Sequence, residues 1–187
     1  MTGGEVAIQP ENLGALHIDT QRLVIRRLRY EDADAYLDIF TDQQTCDDDG
    51  GYEAFTGRDE KFERLIREFS EDPTRYVIIL RETGRLIGVI HLMPPLTMRA
   101  VPSIEIGYCI HRDDRRRGYA FEAVTALLDV LHGELGFKLV LAGAFAFNQP
   151  SQRLLEKLGF SREGITRYDT NHRIHGLTDM VNYCHEA

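Results

Sequence analysis

The chain has 187 residues, 43% of them hydrophobic, and a formal net charge of −8. This length suits one domain around one core, and the apolar content excludes a disordered chain. No apolar run reaches the ~18 residues of a membrane span, the N-terminus lacks the basic and apolar stretches of a signal peptide, and the acidic balance argues against general nucleic-acid binding. A cytoplasmic protein with a cationic substrate, and with no membrane or nucleic-acid partner, is the expectation.

Residues 1–19 are expected to be a loose, Gly-rich tail, and residues 20–187 a single domain without linker or repeat. Residues 22–28 are rich in β-formers and read as a first strand. Residues 31–40 place Ala33, Tyr36, Leu37 and Phe40 on one helical face, behind acidic residues that suit a helix start. Residues 42–57 form a polar, Gly-containing break. Asp47, Asp48 and Asp49 stand together in it, without the alternating ligands and distant glutamate of a calcium loop. They are either a solvated turn or a wall that attracts an amine. No metal site is expected elsewhere, because Cys46, Cys109 and Cys184 have neither metal-ligand spacing nor a disulfide pattern. Cys109, inside a strand, reads as an inert core thiol.

Residues 59–69 form a second amphipathic helix with Phe62, Leu65, Ile66 and Phe69 as its stripe, closed by Asp72-Pro73. Residues 76–80 and 86–93 make a hairpin around Gly84, ended by Pro94-Pro95 because proline cannot donate to a ladder. A loop over 96–102 leads to a strand at 103–111, where Ile104, Ile106, Tyr108 and Ile110 repeat at period two. Residues 121–131 carry Phe121, Val124, Leu127, Leu128 and Leu131 at helical spacing. The apolar run 139–147 is a strand covered on both faces. Asn148-Gln-Pro150-Ser151 opens a short helix carrying Leu154, Leu155 and Leu158 and stopped at Gly159. Two final strands follow. The class is therefore α/β, with about seven strands and four helices.

Between the strand at 103–111 and the helix at 121–131 lies a short cationic loop. Arg115, Arg116 and Arg117 precede Gly118, which removes a Cβ where a ligand needs to approach the backbone. The unpaired amides that open a helix attract an anion. Strand, loop and helix together are the setting of a phosphate site.

Arg115-x-x-Gly118-x-Ala120 matches the acetyl-coenzyme A motif of the GNAT family of N-acetyltransferases. Glu105-Ile-Gly-Tyr-Cys-Ile-His111 is similar to the preceding strand in the branch that acetylates ribosomal-protein N-termini (RimJ/RimL-like). Asn148-x-x-Ser151 and Glu156-Lys-Leu-Gly-Phe160 extend the resemblance, whose element order covers residues 20–185. It implies a mixed central sheet whose fourth and fifth strands splay apart. It also implies that acetyl-coenzyme A is the cofactor and a peptide N-terminus or small amine the acceptor.

On that resemblance, the amides of Arg115, Arg116, Arg117, Gly118, Tyr119 and Ala120 ring the cofactor's pyrophosphate. Its pantetheine arm pairs with the strand end at Cys109, Ile110 and His111, and Asn148 bonds the arm at the mouth of the splay. Glu105 is the candidate base for the attacking amine. Leu155 stands where many members place a tyrosine acid, so Ser151 becomes the candidate donor to the leaving thiolate, and Tyr108 and Tyr119 are other possible donors. Asp47, Asp48 and Asp49 become candidate acceptor contacts. Three alternatives stay open: a module that holds acetyl-coenzyme A without turnover, a resistance enzyme acting on aminoglycosides or amino-acid analogues, and an unrelated α/β protein whose arginine-rich loop binds some other phosphate. Homodimers occur in this branch, so a second copy is a partner to test.

Overall fold

The computed structural model describes residue 13, residues 16–95 and residues 99–187. Most of the expected tail, and residues 96–98 of the expected loop, lie outside them. The strands are β1 (His17–Asp19), β2 (Leu23–Arg27), β3 (Arg75–Leu80), β4 (Leu86–Met93), β5 (Ser103–Ile110), β6 (Leu139–Phe145), β7 (Ser161–His172) and β8 (Gly176–Glu186). The α-helices are α1 (Ala33–Ile39), α2 (Gln43–Asp49), α3 (Glu60–Glu71), α4 (Tyr119–Asp129) and α5 (Gln149–Lys157). The strands form one eight-stranded sheet in the order β1-β2-β3-β4-β5-β6-β8-β7.

Two elements differ from the sequence-based expectation. β1 pairs with β2 through Ile18 and Ile25, so the ordered sheet starts before residue 20. Three residues with one buried apolar side chain carry too little alternation to be recognised. Helix α2 occupies part of the expected polar break. Asp42 caps it, its Oδ2 accepting from the Thr45 amide at 3.0 Å and from Thr45 Oγ1 at 2.6 Å. Its Thr, Cys and Asp residues are weak helix formers in isolation. Its stability comes from long-range contacts described below.

The sheet separates two apolar clusters. On one face α4 and α5 bring Ala123, Val124, Leu127, Leu128 and Leu155 onto Ile104, Ile106 and Val140. On the other, α1, α2 and α3 bring Tyr36, Ile39, Cys46, Phe62 and Ile66 onto Val77, Leu86 and Cys109. Phe62 and Ile66, one turn apart, are fully buried, and Asp59 caps that helix by accepting from the Phe62 amide at 2.8 Å. Cys109 sits in this core as expected, and burial pushes its thiol well above the ordinary range.

All strand pairs are antiparallel except β5 with β6. That parallel ladder joins Ser103, Ile104 and Glu105 to Leu139, Val140 and Leu141 and then stops. Beyond it, β5 continues to Ile110 and β6 to Phe145 without a backbone pairing between them among the described residues. β5 is held straight against β4 by close packing at Gly88. A Cβ there would lie 2.6 Å from the Cys109 carbonyl oxygen and 2.8 Å from Ile110 Cδ1. Gly88→Ala is therefore expected to destabilise the fold by about 1–3 kcal/mol through overpacking. The check is a lower urea midpoint at unchanged slope.

Candidate active site

Strand β5 ends at Ile110 and passes through a 3-10 turn, Arg112–Asp114, into the cationic loop. Arg116 and Gly118 adopt left-handed φ of 62° and 80°, and α4 begins at Tyr119. These angles turn the loop so that the first-turn amides of α4 are not screened by a side chain at Gly118. A Cβ at Gly118 would meet only Arg22 Nη2, at 3.5 Å.

The loop is anchored from beneath. The Asp114 side chain is fully enclosed and accepts from Arg85 Nη2 at 2.5 Å. Arg22 Nη1 donates to the Arg117 carbonyl at 3.0 Å, and Arg22 Nε donates to Glu122 Oε2 at 2.6 Å. Burial works against ionised Glu122, but hydrogen bonds from Thr20 and Arg22 hold its carboxyl below the ordinary range.

The three loop arginines do different things. Arg116 and Arg117 are exposed. Arg115 is turned back: Nε donates to the Ile110 carbonyl at 3.1 Å, Nη1 to Asp48 Oδ2 at 3.3 Å and Nη2 to Thr45 Oγ1 at 2.7 Å.

The unpaired edge of β5 is set by strand alternation. The His111 amide donates to the Ile87 carbonyl at 2.8 Å, so it faces β4. Cys109, two residues back and opposite Val89, faces the same way. The edge toward β6 therefore presents the main-chain groups of Ile106, Tyr108 and Ile110. Of the amides expected from sequence, Cys109 and His111 are turned to β4 and Ile110 to the gap. At the far bank, Asn148 Oδ1 caps α5 by accepting from the Ser151 amide at 3.2 Å, and its Nδ2 donates to the Asp48 carbonyl at 3.4 Å. The Tyr108 and Ser151 hydroxyls lie 3.3 Å apart, one from each bank. Burial pushes the Tyr108 phenol up to about 12, against the Ser151 hydrogen bond that lowers it.

The face of the sheet under α1–α3 has an open floor beside this gap. Half-buried Glu105 shares that face with Gly107 and Cys109 and is diagonal to His91 on β4. Gly107 has no side chain, and Gly143 on β6 is exposed despite its central strand. Over the Cys109 end stands the C-terminus of α2, where the three acidic residues separate.

Asp47 is buried and paired with Arg173 at 3.0 Å. Its carbonyl accepts from His172 Nε2 at 2.9 Å. That nitrogen carries the ring proton, because His172 Nδ1 accepts from the Ile174 and His175 amides. Asp48 is taken by Arg115. Asp49 is solvent-accessible and accepts from Tyr52 Oη at 2.5 Å. Although the residue reaches solvent, desolvation of its carboxylate by the surrounding protein raises the Asp49 pKa, opposed by the Tyr52 bond and by Arg75. His91, Tyr52, His172 and Arg173 had no local signal in the sequence. Their roles depend on partners distant in the chain.

Comparisons with known proteins bear on the family and the fold. The family model described as "Acetyltransferase (GNAT) domain" matches residues 22–161. The uncharacterized N-acetyltransferase YoaA of Bacillus subtilis (strain 168) is 31% identical over 170 residues, spanning 82% of this chain and 93% of that protein. A GNAT-family acetyltransferase from Bacillus anthracis superposes with a TM-score of 0.79 at 24% identity, covering 91% of this chain and 98% of that one. Mycobacterium smegmatis RimJ, solved in complex with CoA-disulfide, superposes with a TM-score of 0.73 at 21% identity, covering 93% and 89%. At these identities the two structures speak for the fold.

His91 provides a test of the recess. Burial lowers its pKa to about 4, with Arg75 acting in the same direction. The unfolded chain, with an ordinary histidine near 6.5, binds more protons between those values. Stability is therefore complete above pH 6.5 and lost as pH falls through about 4. His91→Gln is expected to flatten the pH dependence of the urea midpoint in that window.

Proposed function

The chain belongs to the GNAT acetyltransferase domain family, and from that premise we propose that it transfers an acetyl group from acetyl-coenzyme A to a primary amine by direct attack, with both substrates bound. The carrying observation is the β5–β6 ladder that ends at Glu105 and Leu141 beside an uncovered helix N-terminus.

The residues fit that cofactor. First-turn amides at Gly118, Tyr119 and Ala120, with exposed Arg116 and Arg117, suit a diphosphate. The open main-chain groups of Tyr108, with the Ile106 carbonyl and the Ile110 amide, suit an arm that resembles a peptide. Asn148, at the end of β6, stands where that arm would leave the gap. Acetyl-coenzyme A supplies an activated thioester, so positioning carries much of the acceleration.

The protein's own chemistry is proton handling. Glu105, at the last paired position of β5, takes the proton of the attacking amine as nitrogen bonds to the acetyl carbon. Ser151, with Tyr108 behind it, gives a proton to the departing sulfur. Neutral His91 lies on the same face as Glu105 and adds no competing charge at neutral pH. Asp49 with Tyr52 is the part of the acidic run that remains to meet a cationic acceptor. The acceptor class is a peptide N-terminus or a small amine. The exposed apolar side chains of the β7–β8 hairpin, Tyr168, Ile174 and Leu177, are the surface a homodimer would cover.

The test is a panel of peptides, polyamines and aminoglycosides with acetyl-coenzyme A, read by thiol release and product mass. An acetylated product supports the proposal. Bound coenzyme A with no thiol above background across the panel would replace it with a binding module.

Two variants follow. Gly118→Val places a β-branched residue at left-handed φ and is expected to weaken coenzyme A about tenfold or more by calorimetry. Glu105→Gln is expected to lower turnover about a hundredfold with little change in coenzyme A affinity. Equal rates for the two proteins across pH would remove Glu105 from the mechanism.

A further inference from the structure

Helix α2 is fastened to both banks of the β5–β6 gap. On the β5 bank, Arg115 contacts Thr45 near the start of the helix and Asp48 near its end, while its Nε holds the Ile110 carbonyl. On the β6 bank Asn148 caps the Asp48 carbonyl, and from the end of β7 His172 caps the Asp47 carbonyl. The last carbonyls of a helix have no intrahelical partner, so these side chains complete it. The helix has seven residues and buries Cys46 as its one apolar side chain. Little in it favours a helix alone, so its place depends on the groups that grip it.

Arg115 is the grip that reaches farthest. Its three nitrogens join the end of β5 to both ends of α2. Three of its five N–H groups are committed in this way, one from each nitrogen. Arg116 and Arg117 carry no such commitment to α2, and their side chains are exposed.

We propose that Arg115 is a positioning residue: it fastens α2 as a strap over the open end of the gap and thereby sets the Asp49–Tyr52 recess, while its side chain takes no part in binding phosphate. The proposal rests on the acetyl-transfer reading of the gap. A cofactor arm seated there pairs with the strand end that Arg115 joins to α2, so its hold on the helix runs through Arg115.

The test compares Arg115→Met with Thr45→Val/Asp48→Asn, which removes the helix side of the same contacts. Hydrogen exchange over residues 43–50 is followed with and without coenzyme A, whose affinity is measured by calorimetry. Both variants are expected to exchange about tenfold faster over 43–50, with 119–129 unchanged. Saturating coenzyme A is expected to slow that segment about threefold in the wild type and to lose this effect in both variants. Coenzyme A affinity in Arg115→Met stays within about fivefold of the wild type.

Wild-type exchange over 43–50 in either variant overturns the proposal. So does coenzyme A protection of α2 that persists in Arg115→Met, or an affinity loss beyond about fivefold in that variant. A wild-type chain that does not bind coenzyme A sinks the acetyl-transfer reading instead. The exchange comparison without ligand then still decides whether Arg115 fastens α2.

Discussion

A strand in mid-sheet cannot leave its main-chain groups unpaired without consequence, because buried amides and carbonyls need partners. β5 does so along the edge beyond Glu105, where β6 turns away. The surrounding structure is arranged about that unmet demand. β4 holds the other edge of β5, Gly88 allows close approach there, and α4 starts where the opening ends. The gap is thus a line of donors and acceptors kept ready by rigid neighbours, and a peptide-like ligand can satisfy it at little conformational cost.

The electrostatic arrangement follows the same economy. An acidic chain concentrates positive charge at one loop and then restrains that loop from below. Arg22 with Glu122 is a surface pair and contributes little alone. Arg85 with enclosed Asp114 is of another kind, since removing the arginine would take an ion-pair partner from a carboxylate with no exposed surface. On the opposite side of the gap, carboxylates collect on α2. Two are neutralised by Arg173 and Arg115, and Asp49 keeps contact with solvent.

The elements with strong periodicity were legible in the sequence. The stripe of Phe62 and Ile66, the alternation from Ile104 to Ile110, and the Asn148 cap all appear as expected. The turn between β5 and α4 was legible because strand, loop and helix signals converge on Gly118, but its left-handed backbone was not. Helix α2 was not, because its side chains favour a turn and its stability is supplied from residues more than sixty positions away. The direction of individual amides was not legible either. Period two says which residues alternate, but only the hydrogen bond from His111 to Ile87 shows which set faces the gap. Leu155 was noted as a departure from the tyrosine of related sequences. In the fold it is fully buried among core side chains, and a leucine side chain has no proton to give.

The caps on α2 also carry a consequence for biogenesis. Synthesis runs from the N-terminus, and elements assemble as they emerge. A nascent chain that has released residues through Asn148 already owns β5, the cationic loop and α4. The wall over Cys109 still lacks His172 and Arg173, which arrive with the final hairpin. The cationic loop is thus synthesised before the wall opposite it, and both wait on the same hairpin, because its second strand β8 pairs along β6 and completes the sheet.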